Sequence, residues 1–160
     1  MMKKFILLFC LVLFFNSCEQ DQNSPSSSDW DDIMLFVDMV TLHSFDASSV
    51  SLSNTPVYYI TCIKNNISEE WASESVQSVS LPVSLSGWIG PLGIWKHEFV
   101  ENYCFEIYVE DGSAINAPNF LVGSCCWTPN SVSSTQPTTH TLSNGLNILE
   151  LELTWENLAD

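Results

Sequence analysis

Arginine is absent from this chain, and its 160 residues hold only four lysines and three histidines against nineteen aspartates and glutamates. So few cations exclude the electrostatic footprint of a nucleic-acid binder, because phosphate backbones are gripped by lysine and arginine. Anionic membrane surfaces are disfavoured on the same ground unless a cation intervenes, which leaves a phospholipid ligand open. Signatures of catalysis are missing as well. There is no Gly-x-Ser-x-Gly elbow, no His-Glu-x-x-His and no phosphate-binding glycine loop, and His43, His97 and His140 are isolated in the sequence. The expectation is a protein that is not an enzyme. Beyond residue 18 no apolar run reaches the roughly 20 residues that a membrane-spanning helix needs.

What is present at the N-terminus is ordered like a targeting segment. Lys3 and Lys4 precede eleven apolar residues, Phe5 to Phe15. That length suits the helix of a signal peptide and is too short for a stable transmembrane helix. Phe15-Asn16-Ser17-Cys18 then resembles a loose bacterial lipobox, with small Ser17 before the cysteine but Phe15 where leucine is usual. The competing reading is an ordinary secretory signal with an incidental cysteine. The position of Cys18 directly after the apolar run favours the lipobox. The resemblance implies cleavage before Cys18 and a diacylglyceryl group on its sulfur. Each buried CH₂ contributes about 0.8 kcal/mol, so two or more acyl chains anchor stably where one is marginal. Glu19 to Asp29 contains only Glu, Gln, Asp, Asn, Ser and one Pro, and cannot bury surface. The expected organisation is a signal peptide at 1–17, a polar tether at 18–30 and one domain at 31–160. The chain is thus expected to be exported and lipid-anchored in the bacterial cell envelope, at the outer membrane.

Removing residues 1–17 leaves nineteen acids against Lys64 and Lys96, a net charge of −17. These acids either keep an exported protein soluble or, at some positions, bind a metal. About 130 residues suffice for one core and not for two. Ile33 to Leu42 is apolar on both faces, as in a central strand, and Pro56 opens a second run, Val57 to Ile63. Ile67-Ser68-Glu69-Glu70 starts either a short helix or a loop. Val79 to Leu85, Tyr103 to Val109 and Phe120 to Trp127 read as strands. Gly87 to Gly93 reads as a turn region, and Glu110 to Asn119 and Thr128 to Thr141 as loops. Leu146 to Glu156 alternates most cleanly, with Leu149, Leu151, Leu153 and Trp155 inward. The pattern predicts an all-β fold, an antiparallel sandwich of about seven or eight strands.

The order of these segments resembles a C2 domain, the β-sandwich that in many proteins binds phospholipid through calcium. Asn54-Thr55-Pro56-Val57-Tyr58-Tyr59 stands where that family has Ser-Asp-Pro-Tyr-Val. Phe105 to Asp111, followed by Asn119-Phe120-Leu121-Val122-Gly123, resembles its strand, acidic loop and returning strand. Gly145 to Trp155 resembles the closing strand. The likeness spans most of residues 32–156 and is thin between 66 and 98. It implies a calcium site built by two loops at one end of the sandwich. Asp46 matches the first loop's first aspartate, and Asn54 falls where its second belongs. In the other loop Asp111 matches the first, Ser113 replaces the second, and Asn119 sits near the third, with Glu110 as an additional oxygen donor. Two of the family's five carboxylates are therefore present. Calcium takes six to eight oxygens and its affinity follows ligand charge, so the resemblance implies weak or lost calcium binding. The other reading is that these are turn residues capping loops.

Four cysteines besides Cys18 lie in the domain, at 62, 104, 125 and 126, and their spacing does not match a zinc site. If residues 104–109 and 120–127 form a hairpin with Glu110 opposite Phe120, Cys104 faces Cys126 on the outer surface and a disulfide is possible. The alternative is buried thiols acting as small apolar groups. Trp88, Ile89, Leu92, Ile94 and Trp95 surround Gly90, Pro91 and Gly93. In a small sandwich such residues ordinarily fill the core. Exposed, Trp88 and Trp95 form a ligand loop that grips a sugar or enters a membrane. The functional expectation is a membrane-anchored binding module with a C2-like sandwich. The alternative is a structural or adhesive surface lipoprotein that binds a protein or glycan through a generic sandwich. Mass spectrometry of the purified protein is expected to show a mature chain starting at an acylated Cys18. An intact Met1, or a processed chain with unmodified Cys18, overturns the lipoprotein reading.

Overall fold

The structure is a computed structural model that describes residues 33–158; the expected signal peptide, Cys18 and the tether lie outside the described residues. Alternating and β-branched segments form ten strands and, among the described residues, no α-helix. They are β1 (Ile33–Ser44), β2 (Val57–Lys64), β3 (Ser68–Ala72), β4 (Val76–Gln77), β5 (Val83–Ser86), β6 (Leu92–Trp95), β7 (Tyr103–Glu110), β8 (Asn119–Trp127), β9 (Thr139–Asn144) and β10 (Asn147–Asn157). One sheet has the order β5-β1-β10-β9, with β6 continuing the β5 edge along β1. The other has the order β3-β2-β7-β8, with β4 continuing the β3 edge along β2. All pairings are antiparallel, and ten segments occupy eight strand positions, four in each layer. Against the sequence expectation of seven or eight strands, the described residues form ten, two of the eight positions being filled by broken strands.

The inner faces meet in one core. Along β10, Leu149, Leu151 and Leu153 are buried while Glu152 and Thr154 face out. Trp155 is partly buried, packed edge-on against Phe99 at 5.8 Å, and donates its indole N–H to Pro137 at 2.9 Å. The two apolar faces of β1 have a specific cause. Pairing with β10 shifts between Val37 and Met39, so Asp38 is bulged out. The bulge changes the parity of the strand. Leu35 and Val37 before it and Val40 and Leu42 after it all point inward and are fully buried.

Several local expectations are corrected. Ile67 to Glu70 begins a strand and not a helix, because Asn65 and Asn66 both take left-handed backbone (φ 52° and 58°). Ile67 donates its amide to Lys64 O at 3.0 Å, closing a β-turn whose two central positions are of the kind asparagine tolerates. Val79 to Pro82 is loop and the strand starts at Val83. The Ser/Thr-rich stretch after Trp127 includes β9. In the β7–β8 hairpin Glu110 pairs with Asn119 and not with Phe120. A shift between Ile107 and Tyr108 then restores the register that sets Cys104 opposite Cys126, and the two form a disulfide. Cys62 and Cys125 are free thiols, buried on the inner face.

Leu151 is the sharpest test of the layering. An unpaired buried carboxylate costs several kcal/mol, a large share of the about 5–15 kcal/mol that hold a domain folded. The Leu151→Asp variant is expected to lose cooperative urea unfolding, while Glu152→Gln on the outer face retains it. A cooperatively folded Leu151→Asp protein means that β10 buries its other face.

Candidate functional site

Two broken edge strands lie side by side where the sheets meet. Ser73, between β3 and β4, occupies a ladder position of β2: its amide donates to Ile60 O at 2.8 Å, and the Ile60 amide donates to Ser73 Oγ at 2.9 Å. From this point the chain hydrogen-bonds to the other sheet. Glu74 donates to Ser86 O at 2.8 Å, and Trp88 donates to Ala72 O at 2.9 Å. Ser73 and Gly87 form a bridge pair. Trp71, buried by its ring, donates its indole N–H to Gly90 O at 2.9 Å. Three hydrogen bonds, two of them making the Ser73–Gly87 bridge, thus tie Ser86 and the 87–91 loop to β3 and its extension.

Gly87 is what lets the loop sit so close. A Cβ there would fall 1.9 Å from Gly90 O and 2.2 Å from Trp71 Nε1. Gly90 takes φ +138°, a conformation that side chains rarely allow. With its backbone secured, the loop holds its apolar residues outward: Trp88 is 73% exposed and Ile89 96%. Between this tip and β3 runs a groove of about 500 Å³, lined by Glu69, Glu70, Trp71, Trp88, Ile89 and Pro91, among others. Glu70 also leans on Lys64 at 3.6 Å, and Lys64 makes its closer contact, 2.9 Å, with Glu98.

The sequence cluster around Trp88 is therefore split. Leu92 and Ile94 fill the core, as small-sandwich hydrophobes ordinarily do. Trp88 and Ile89 do not. Trp95 is 42% exposed at the far end of β6, opposite Met34, and does not line the groove.

The residues matched to a calcium site are only partly gathered. Loops 45–56 and 111–118 meet at one end of the sandwich. Asp111 Oδ1 accepts the amides of Ser53 at 2.8 Å and Asn54 at 2.7 Å, and Asn54 Nδ2 donates back to Asp111 O at 3.4 Å. Asn54, Asp111 and Ser113 share a shallow hollow of about 320 Å³ with Thr55, Gln77 and Gly112. Asp46 is occupied in capping the turn at Ala47–Ser49. It accepts the Ser48 amide at 2.9 Å, and hydrogen bonds from the side chain and backbone of Ser48 hold its carboxyl below the usual range. The Asp46 amide donates to Asn147 Oδ1 at 3.0 Å. Asn119 donates its side-chain amide to the Tyr59 hydroxyl and does not line the hollow. Glu110 is a ladder residue of β7, paired with Val57 and Asn119.

Sequence reasoning missed three structural roles. Asp111 ties one loop to the other through backbone amides. Ser73 acts as a surrogate ladder group. Asn147, buried, fills the space above Gly123, where a Cβ would meet it at 2.3 Å. Burial pushes the Cys62 thiol far up, with the nearby Glu70 adding to it, and Cys125 shifts the same way through burial. A thiol kept protonated is a poor nucleophile.

Comparison with protein-family models and with curated proteins finds no match for this chain. The site thus rests on its own geometry, which Gly87 tests. Gly87→Ala forces backbone and the Trp71 ring apart, an overpacking that costs about 1–3 kcal/mol. The expected result is reduced stability in urea together with faster hydrogen exchange at the Trp88 amide. Unchanged exchange at Trp88 would show that the contacts to Ala72 and Trp71 do not hold the loop.

Proposed function

We propose that the chain is a lipid-anchored binding module of the bacterial envelope, and that the 87–91 loop is its ligand-contacting surface. The observation that carries this reading is the exposure of Trp88 and Ile89 on backbone secured by three hydrogen bonds. Large apolar side chains left exposed next to one another, as these two are, mark candidate interaction sites, where singly exposed ones do not. A surface already ordered loses little entropy when a partner docks, and tryptophan is the residue that most often dominates such contacts. The lipid anchor rests on the sequence around Cys18.

Within that reading the sandwich is C2-like. Its support is the sequence resemblance and the meeting of loops 45–56 and 111–118 at one end. Calcium binding is weak or lost. One oxygen of Asp111 is already shared by two amides, and Asp46 is engaged by Ser48. What remains is two carboxylates with amide and hydroxyl oxygens, which places any affinity near the weak end of about 10⁻⁴ to 10⁻³ M. The second reading, a structural or adhesive lipoprotein on a generic sandwich, uses the same loop without the C2 kinship.

Amide NMR of the mature protein, titrated separately with maltohexaose, an arginine-containing pentapeptide and phosphatidylglycerol vesicles, tests the assignment. Shifts from a bound probe are expected to cluster at residues 69–72 and 87–91, with or without millimolar calcium. Shifts confined to 46–55 and 111–119, and seen only with calcium, would replace the loop reading with a calcium-dependent one. Absence of any shift at 69–72 and 87–91 with all three probes overturns it.

A further inference from the structure

We infer that the Trp88 groove takes an arginine side chain presented by a partner protein, a step that rests on the reading of the 87–91 loop as a ligand surface. Three features converge there. The indole of Trp88 is largely exposed, with Ile89 beside it. Exposed Glu69 and Glu70 line the same groove. Ser68 Oγ donates to Glu70 Oε1 at 2.5 Å and Lys64 lies 3.6 Å from it, which leaves Glu69 and Glu70 Oε2 to a ligand. The groove, about 500 Å³, falls at the lower end of the range of ligand pockets, which suits one or two side chains rather than a large ligand.

Charge decides among the ligands that an aromatic groove accepts. A sugar stacks on indole, and its hydroxyls donate to carboxylates, but a neutral sugar gains nothing from the charge around it. An anionic membrane would receive Trp88 and Ile89 well, yet its headgroups would meet Glu69 and Glu70. A cation is favoured twice, by the face of the indole and by the carboxylates across from it. The rest of the domain acts in the same direction, since residues 18–160 carry nineteen acids and two lysines. Lys64 is held by Glu98 and Glu70, and Lys96 does not line the groove. Among cations, guanidinium fits best. It is planar and weakly hydrated, stacks on an aromatic face and forks a carboxylate with two parallel N–H donors. A lysine ammonium is a more strongly hydrated point charge and cannot do both at once.

The test is calorimetry on the full lipidated mature protein in detergent. The probe is acetyl-Gly-Arg-Gly-Arg-Gly-amide, and its counterpart with citrulline in place of arginine has nearly the same shape without the charge. Salt at about 0.15 M screens exposed charges beyond about 8 Å, so diffuse attraction is reduced and contact is retained. The arginine peptide is expected to bind at one site, and the citrulline peptide at least roughly tenfold more weakly. Trp88→Ala and the pair Glu69→Gln/Glu70→Gln are each expected to weaken binding roughly tenfold. All these side chains are exposed or line the groove, so circular dichroism should show unchanged folding. Glu150→Gln/Glu152→Gln removes the same charge from β10, away from the groove, and is expected to change affinity by less than about twofold. An equal loss in that remote pair, equal binding of the citrulline peptide, or no binding of the arginine peptide overturns the inference. If maltohexaose shifts the groove amides while the arginine peptide does not, the arginine assignment fails and the binding-module reading stands. If no probe reaches the groove, both fail together.

Discussion

A hydrogen-bonded seam between Trp71–Glu74 and Ser86–Gly90 closes one side of the sandwich and fixes its exposed loop in the same set of contacts. Each sheet reaches that side with a strand broken into two pieces, β3 and β4 in one layer and β5 and β6 in the other. A broken edge strand leaves unpaired amides and carbonyls, which invite pairing with another chain. Here those groups are spent on each other across the layers, through Glu74 to Ser86 and Trp88 to Ala72. The opposite side has a lighter version of the same device, where Asn144 Nδ2 donates to Ser124 O at 3.0 Å and links the β9–β10 turn to β8. Ser73 makes the seam compatible with the ladder. Its hydroxyl accepts the Ile60 amide, so the backbone of that stretch is free to turn toward the second sheet.

Much of the framework was legible because it follows from periodicity. The alternation in Tyr103–Val109 and in Leu149–Leu153 survives as burial on one face. What the alternation conceals is bulges. Ile33–Leu42 looks apolar on both sides, and the structure shows one buried face whose parity changes at Asp38. Asp38 itself carries no warning in the sequence, since its carboxylate simply accepts the Thr154 hydroxyl at 2.6 Å from the paired strand. The β7–β8 hairpin is a parallel case. Its turn starts one residue away from the register that alternation suggested, and a shift between Ile107 and Tyr108 corrects it before the chain reaches Cys104. Asn65-Asn66 did carry a signal, two residues that tolerate left-handed backbone between two β-rich runs. The acids at Glu69 and Glu70 obscured it by imitating the first turn of a helix.

The candidate site was less legible, for a different reason. Composition does not separate Trp88 from Ile94: both are large and apolar, three turns of alternation apart, in one short stretch. What separates them is the partner that each backbone segment finds. Leu92 and Ile94 lie on a strand paired with β1 and point into the core. Gly87 and Gly90 let the intervening residues leave the sheet edge, and that depends on Trp71, sixteen residues earlier than Gly87. Likewise, Asp111 matches a ligand position by its place after a strand, and only the structure reveals that Ser53 and Asn54 amides already use one of its oxygens.

The charge of the domain and the exposure of Trp88 and Ile89 are coupled. Two large apolar residues in water make a domain prone to self-association, all the more beside a sheet edge. A strongly negative surface opposes that association, because any second copy that approaches carries the same charge. Glu69 and Glu70 place part of that repulsion at the groove itself. The repulsion is selective. It acts against other copies and against anionic surfaces, and becomes attraction for a cation. An apolar tip that is free to meet its own kind would be a hazard, whereas one flanked by Glu69 and Glu70 disfavours contact with a second acidic surface. The acids that oppose contact between copies are thereby the same ones that the proposed cationic ligand would meet at the tryptophan.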